Sequence, residues 1–326
     1  MNVPREKMSF DLRQRYRLAA QLIETVRKKK PLRILDAGGR EGYLHNFLPE
    51  DEITNLDLEF FPGDSFVVGD LLLLPFTAGT FDLVVSLDVL EHIEPGRRGG
   101  VLDEIDRVSR DYFIVGAPFR DRKVVEAEKL ANEFHLRATG RENEFLAEHL
   151  RLGLPELEEV TSWIEDRGYQ SVILPNNYLP FWLVMMGLSA YFTSLPRPGD
   201  LMAAVTELYE INFSRYDAQS PAYRKILLIA KSGPLDQEAI RKRFAPAPFS
   251  EDSGKRAWNF ADRVLSELVT DRERKLLELQ EEINRLQAEL ARRDEDCRRA
   301  RAELEGIKGT PAYRFYKNTW GRIRGS

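Results

Sequence analysis

The stretch Ile34, Leu35, Asp36, Ala37, Gly38, Gly39, Arg40, Glu41, Gly42, Tyr43, Leu44 joins an apolar run to an acid and then to a glycine-rich bend. Glycine is needed where a backbone turns sharply or comes close to a ligand. A helix opening after such a bend favours a carboxylate or phosphate at its start. A phosphate-binding loop would need Lys followed by Ser or Thr after the last glycine, and Tyr43 and Leu44 supply neither. A dinucleotide fingerprint starting at Gly38 would need glycines where Arg40 and Tyr43 stand, and one starting at Gly39 would need them at Glu41 and Leu44. What remains is an acid with glycines two and six residues on, and a second acid, Asp57, closing the next apolar run.

Two more matches follow in order. Gly69, Asp70 and Leu71 come after a third apolar run, and FDLVVSLDVLEHI (81–93) brings Ser86, Asp88, Val89, Leu90, Glu91 and His92 to the end of a fourth. Across 32–119 this set resembles the class I S-adenosylmethionine-dependent methyltransferases, and their motif I in particular. The resemblance implies an α/β fold with a doubly wound, seven-stranded, mostly parallel Rossmann-like sheet, and S-adenosylmethionine as cofactor. It further implies a cofactor site of Asp36, Gly38, Gly39, Gly42, Asp57, Leu58, Asp70, Leu71, Ser86 and Leu87. In that family the acid matched by Asp57 holds the ribose hydroxyls, the Gly-Asp pair lies beside the adenine, and the fourth strand runs under the sulfonium. Carboxylates can accept from the diol and the exocyclic amine, while amides of the bend meet the amino-acid end. Arg40 stands where many members carry glycine, so its side chain must point away from the cofactor.

Methyl transfer is an in-line displacement, so the protein must align a nucleophile and exclude water. A hydroxyl acceptor must also lose a proton, and a positioned base contributes about 10²–10⁴-fold. His92 is the leading candidate because it follows the fourth strand and titrates near neutrality. Its alternative role is packing or hydrogen bonding in the pocket. His135 and His149 follow the fifth strand and offer either acceptor-side catalysis or helix anchoring. Glu91, Glu133 and Glu148 lie near these histidines in sequence, but their spacing assigns no metal site.

The elements that would carry these residues are legible from periodicity. Apolar positions over 11–30 recur at helical spacing and end in the basic run Lys28, Lys29, Lys30, which predicts an amphipathic helix. β-rich runs at 32–37, 52–58, 65–70, 81–90 and 112–119 alternate with helical stretches, the cadence of a parallel sheet covered on both faces. Runs at 169–175 and 224–232 complete about seven strands. Between them, 168–196 holds no Asp, Glu, Lys or Arg. Its prolines leave only about 15 residues where a membrane span needs about 20, so the expectation is a helix buried at the sheet edge or a lid over the site.

A methyltransferase domain is thus expected over 1–235, with a helical insert near 176–222, and a Pro-containing linker over 236–258. Over 259–308, Leu276, Leu279, Ile283, Leu286, Leu290, Arg293, Cys297, Ala300, Leu304 and Ile307 follow at alternating three- and four-residue steps. That pattern is a coiled-coil signature of more than four heptads, and extended back to Leu265 it gives a helix of about 43 residues. It predicts a homo-oligomer; the alternative is a lone charged helix folded back on the domain. The tail 309–326 has no acid and interleaves Arg314, Lys317, Arg322 and Arg324 with Tyr313, Phe315, Tyr316 and Trp320. Such composition suits peripheral contact with a bilayer surface, or a frayed terminus.

With 48 Lys+Arg against 53 Asp+Glu, the net charge of −5 gives no reason to expect nucleic acid as a partner. One cysteine cannot build a disulfide framework, and the N-terminus lacks a secretory profile, so a cytoplasmic location is expected, including the inner face of the plasma membrane. Segments 146–155, 181–186 and 220–224 resemble bacterial methyltransferases associated with surface-polysaccharide synthesis, which implies a glycan hydroxyl or lipid-linked sugar as acceptor. The alternatives are a soluble small-molecule acceptor, and a non-enzymatic coiled-coil scaffold with a vestigial cofactor fold.

Overall fold

The computed structural model describes residues 8–40, 42–62, 65–194, 198–315 and 317. The chain forms two compact units, Met1–Phe260 and Ala261–Ser326. In the first unit, helix α1 (Phe10–Val26) is capped by the Ser9 hydroxyl on the Leu12 amide and precedes strands β1 (Arg33–Ala37), β2 (Glu52–Asp57), β3 (Phe66–Val68) and β4 (Phe81–Leu87). Helix α2 (Arg98–Val108), strand β5 (Ser109–Ala117) and helices α3 (Arg122–Thr139), α4 (Glu144–Leu152) and α5 (Leu157–Asp166) follow. Strand β6 (Gln170–Tyr178), helices α6 (Leu179–Thr193) and α7 (Pro198–Asn212) and strand β7 (Ala222–Ala230) complete the sheet, before α8 (Gln237–Arg243) and α9 (Glu251–Gly309).

All seven expected strands form, in the order β3-β2-β1-β4-β5-β7-β6. β1 to β5 pair in parallel and β7 runs antiparallel to both β5 and β6, which is the Rossmann-like methyltransferase fold. The central strands are continuous apolar runs because both faces are covered: every residue of β4 is buried. Their alternation divides the core in two. Ile34, Val85, Ile114 and Leu228 pack with Tyr16, Ala19 and Ile23 of α1. Leu35, Val84, Val115 and Leu227 pack with Val101 and Ile105 of α2 and Ile164 of α5 on the opposite face.

Four local expectations change. The first helix stops at Val26, with Arg27 extended, so the lysine run lies beyond it. After the glycine bend a single 3-10 turn, Tyr43–Asn46, replaces the expected helix; it is too short to offer an anion-binding terminus. The linker region holds α8, because Asp236 caps the Ala239 amide and Ile240 is buried. The long helix starts earlier than the heptads suggested, at Glu251. The insert between β6 and β7 comprises α6, α7 and a 3-10 turn at Ser214–Tyr216. α6 packs against α3, burying Leu179, Trp182, Met185 and Phe192 while Val184 and Tyr191 stay exposed. Among the described residues no helix is long and apolar enough to cross a membrane.

In the second unit, Leu279, Ile283, Leu286, Leu290, Leu304 and Ile307 are exposed along α9. Pairs such as Glu289 with Arg293 and Glu295 with Arg299 brace the charged faces at i,i+4. Of the basic aromatic tail, Tyr316 and residues 318–326 lie outside the described residues.

Candidate functional site

The strands bring the sequence-derived acids to one edge of the sheet. Register sets Asp36 beside Asn55 on β2 and Val85 on β4, and Asp57 beside Val68 on β3, just before Gly69 and Asp70. The bend between β1 and the 3-10 turn is held by the Gly38 amide on the Leu56 carbonyl at 2.7 Å. Gly38 has φ +88°, and a Cβ there would overlap the Val89 side chain from the loop after β4. A Cβ on Gly39 would overlap the Asp36 carboxylate, and one on Gly42, at φ +68°, would come within 3.1 Å of Asn55 Nδ2. Close approach of two neighbouring elements therefore demands glycine at these positions.

Burial separates the remaining candidates. Asp36 is buried beneath the bend. Asp57 is half-buried and its Oδ1 accepts the Glu59 amide at 3.2 Å, while Asp70 is exposed and accepts the Leu72 amide at 2.9 Å. Leu58 is exposed, whereas Leu71 and Leu87 belong to the core clusters. Ser86 and Asn55 are buried, and among the described residues neither the Ser86 hydroxyl nor Asn55 Oδ1 has a hydrogen-bond partner. Asn55 escaped sequence reasoning, although an amide inside the run ITNLD was its available signal. Arg40 pairs with Glu59 at 3.1 Å and lies over the Phe61 ring. Two clefts of about 260 and 210 Å³ lie elsewhere, one lined by Arg17, Asn176 and Asp217, the other by Lys28, Asp82 and Arg110. Neither is lined by Asp36, Asp57 or Asp70; those acids stand along the strand ends instead of around either cleft.

Beyond β4, Asp88 adopts φ +53° and its carboxylate meets the guanidinium groups of Arg15 and Arg224. Arg224 is fully buried and also donates to both Asp11 oxygens at 2.9 Å and to Asn176 Oδ1 at 3.2 Å. Burial alone would raise the Asp88 pKa, but the two cations outweigh it and hold it down to about 2. This network ties α1, β4, β6 and β7 together, so Asp88 is committed to structure.

The histidines sort themselves differently from the sequence expectation. His92 Nδ1 lies 2.7 Å from Glu148 Oε2, His149 Nδ1 lies 2.8 Å from Glu128 Oε1, and the two Nε2 atoms face each other at 3.3 Å. Tyr223 donates to the same Glu128 oxygen at 2.9 Å and stacks on Trp182 with ring centroids 3.7 Å apart. Burial, followed by the neighbouring His149, pushes the His92 pKa down, and Glu148 partly opposes this. Glu91 is wholly buried, and burial with Asp88 nearby pushes its pKa well above the usual carboxylate range. His135 instead closes the end of α3, with Nδ1 3.0 Å from the Arg141 carbonyl oxygen. His149, not His135, is thus the partner of His92. Glu128 was missed; its signal was an acid on the buried stripe Val124, Ala127, Ala131 of α3. Segments 146–155, 181–186 and 220–224 meet here through His149, Trp182 and Tyr223.

Residues 45–112 match a family described as a methyltransferase domain. The match runs from the 3-10 turn to β5 and includes Asp57, Asp70, Ser86 and His92. No match is found among curated proteins. Solved structures that it resembles include the magnesium protoporphyrin IX methyltransferase of Synechocystis with bound SAH, at 14% identity over 67% of this chain and 83% of that one, TM-score 0.42. Another is a putative methyltransferase from an antibiotic biosynthesis pathway of Anabaena variabilis, at 12% identity over 68% and 99%, TM-score 0.42. A third is a putative sarcosine dimethylglycine methyltransferase from Galdieria sulphuraria, at 17% identity over 66% and 84%, TM-score 0.40.

Proposed function

We propose that this domain transfers a methyl group from S-adenosylmethionine to a hydroxyl of a cell-surface glycan or lipid-linked sugar. The observation that carries the cofactor assignment is the bend at Gly38, Gly39 and Gly42, packed against Asp36 and Asn55 with Asp57 on the adjoining strand end. The cofactor's groups fit these residues: the half-buried Asp57 offers an acceptor for a diol, and the Ser86 hydroxyl and Asn55 Oδ1, without partners among the described residues, are buried polar atoms at the same edge. When bound, S-adenosylmethionine supplies the activated methyl. The chain's own part is to grip the donor at the strand ends, as open α/β sheets do, and to present the acceptor from the α3, α4 and β7 side, where His92 is partly exposed. With Nδ1 engaged by Glu148, His92 Nε2, which faces His149 Nε2 at 3.3 Å, is the ring nitrogen left for chemistry.

Support for a glycan acceptor comes from the resemblance of segments 146–155, 181–186 and 220–224 to polysaccharide-associated methyltransferases, since these segments contribute residues to one cluster beside His92. Asp57→Ala is expected to weaken S-adenosylmethionine binding by about 1–3 kcal/mol in calorimetry, through loss of a half-buried acceptor; unchanged affinity refutes the pocket. Absence of binding by the intact chain at millimolar cofactor favours the scaffold reading. Mass spectrometry of the host's surface glycan, with and without the protein, tests the acceptor. Full turnover after deletion of 259–326 favours a soluble acceptor.

For α9 we propose self-association, since its apolar seam is exposed and a stripe this narrow is normally covered by another helix. Sedimentation at tens of micromolar is expected to give a dimer or trimer, and Leu286→Asp with Leu290→Asp a monomer. A monomeric parent chain counts against it. Peripheral bilayer contact by the tail belongs to the same proposal.

A further inference from the structure

Two imidazoles face each other through their Nε2 atoms at 3.3 Å beside a buried carboxylate, and these groups come from two separate stretches of chain, the turn Leu90–His92 and helix α4. In each ring the Nδ1 atom is 2.7 or 2.8 Å from a carboxylate oxygen, Glu148 for His92 and Glu128 for His149. A carboxylate only accepts, so Nδ1 carries a proton in both rings, and in two neutral imidazoles both Nε2 atoms present lone pairs. Two lone pairs aimed at each other at 3.3 Å repel unless something positive lies between them. Glu91 sharpens this: it is fully buried and, among the described residues, neither of its oxygens reaches a hydrogen-bond donor on another residue. Ligand atoms of Glu91, His92 and His149 all lie within 4.8 Å of one another.

We propose that Glu91, His92 and His149 bind one divalent transition-metal ion of the zinc class. The donor set suits such an ion, which takes imidazole nitrogen and carboxylate oxygen. Zinc–nitrogen bonds of about 2.0–2.1 Å at a tetrahedral angle put two nitrogens about 3.4 Å apart, close to the observed spacing. The outer shell is already built: each ligand histidine donates its other N–H to a carboxylate, and Tyr223 in turn holds Glu128. With three protein ligands and His92 the partly exposed member, a fourth position remains for an outside oxygen. Binding of the ion does not depend on the methyl-transfer reading. Only its use does: on that reading the fourth ligand is the acceptor hydroxyl, made more acidic by the ion's charge, and His92 is then a ligand and not the base.

The test uses the full chain, stripped with a chelator and titrated with Zn²⁺ and Co²⁺ by calorimetry and visible absorption. One equivalent per chain is expected, with a Co²⁺ spectrum of tetrahedral or five-coordinate type. His149→Ala and Glu91→Gln should abolish stoichiometric binding, and the outer-shell change Glu148→Gln should weaken it about 10–100-fold. Cys297→Ser should leave it unaltered. Circular dichroism and melting curves of each variant separate loss of ligand from loss of fold, and Glu148→Gln, which removes no ligand, keeps the test valid if an inner variant unfolds. No stoichiometric binding by the parent chain, or equal binding by parent and His149→Ala, overturns the proposal. Cofactor calorimetry on the same preparation keeps the two readings apart: cofactor binding without metal sinks only the ion site, and metal binding without cofactor sinks only the methyl-transfer reading.

Discussion

Arg224→Met is expected to destabilise the domain by about 3–5 kcal/mol, because removing one member of a buried ionic network leaves its partners uncompensated. At the size of this unit that corresponds to a fall in Tm of roughly 6–20 °C. Methionine keeps much of the apolar bulk, so the loss reports the charge and not a cavity. Asp88 loses one of its two cations and Asp11 loses a partner on both oxygens. The pH dependence has a definite sign. Asp88 ionises at about 2 in the folded chain against an ordinary 3.8, so its stabilisation is fully present above pH 3.8 and is lost as pH falls through about 2. Without Arg224, burial is less opposed and the Asp88 pKa rises. The gap in Tm between parent and variant should therefore be widest near neutrality and narrow as acid protonates Asp88. Equal Tm at neutral pH would show that the network is worth nothing net. The same variant should loosen the loop carrying Val89 to His92, which starts at Asp88.

The second large effect is Gly38→Ala. An alanine at φ +88° is strained by about 1–2 kcal/mol, and its methyl would also overlap Val89, an overpacking cost of about 1–3 kcal/mol. The backbone cannot relax freely because the Gly38 amide is fixed to the Leu56 carbonyl at 2.7 Å. Displacing the bend moves the amides proposed to meet the amino-acid end of the cofactor. Binding of S-adenosylmethionine should therefore fall at least ~10-fold, about 1.4 kcal/mol. Gly140→Ala is the control: its φ of +80° carries the same backbone strain, but nothing lies within 4 Å of the added methyl. It should lose stability alone. If both variants bind cofactor as the parent does, the bend is not part of the cofactor site.

The glycine bend was legible because its demand is local: Asp36, Gly38, Gly39 and Gly42 sit within seven residues, and their spacing excluded two other nucleotide-type loops. The reason for each glycine was not local. Val89 requires Gly38 and Asn55 presses on Gly42, and both come from elements beyond the motif. The histidine cluster was less legible. His92 and His149 stand 57 residues apart, and they meet because α4 packs on the turn Leu90–His92. Sequence placed His135 and His149 on equal footing, but His135 is spent on the Arg141 carbonyl.

By itself the sequence determined the seven strands, the two-faced burial of the sheet, the acid-and-glycine motif and the long charged helix with its apolar seam. Each follows from residue type at fixed spacing, since side-chain periodicity along a strand or helix is set by backbone geometry. Tertiary structure alone decided that a 3-10 turn replaces the helix after the bend, that Asp88 is locked between two arginines, and that Glu91, His92 and His149 point at one another. Those outcomes depend on how one element packs against another, and distance along the chain carries no record of that.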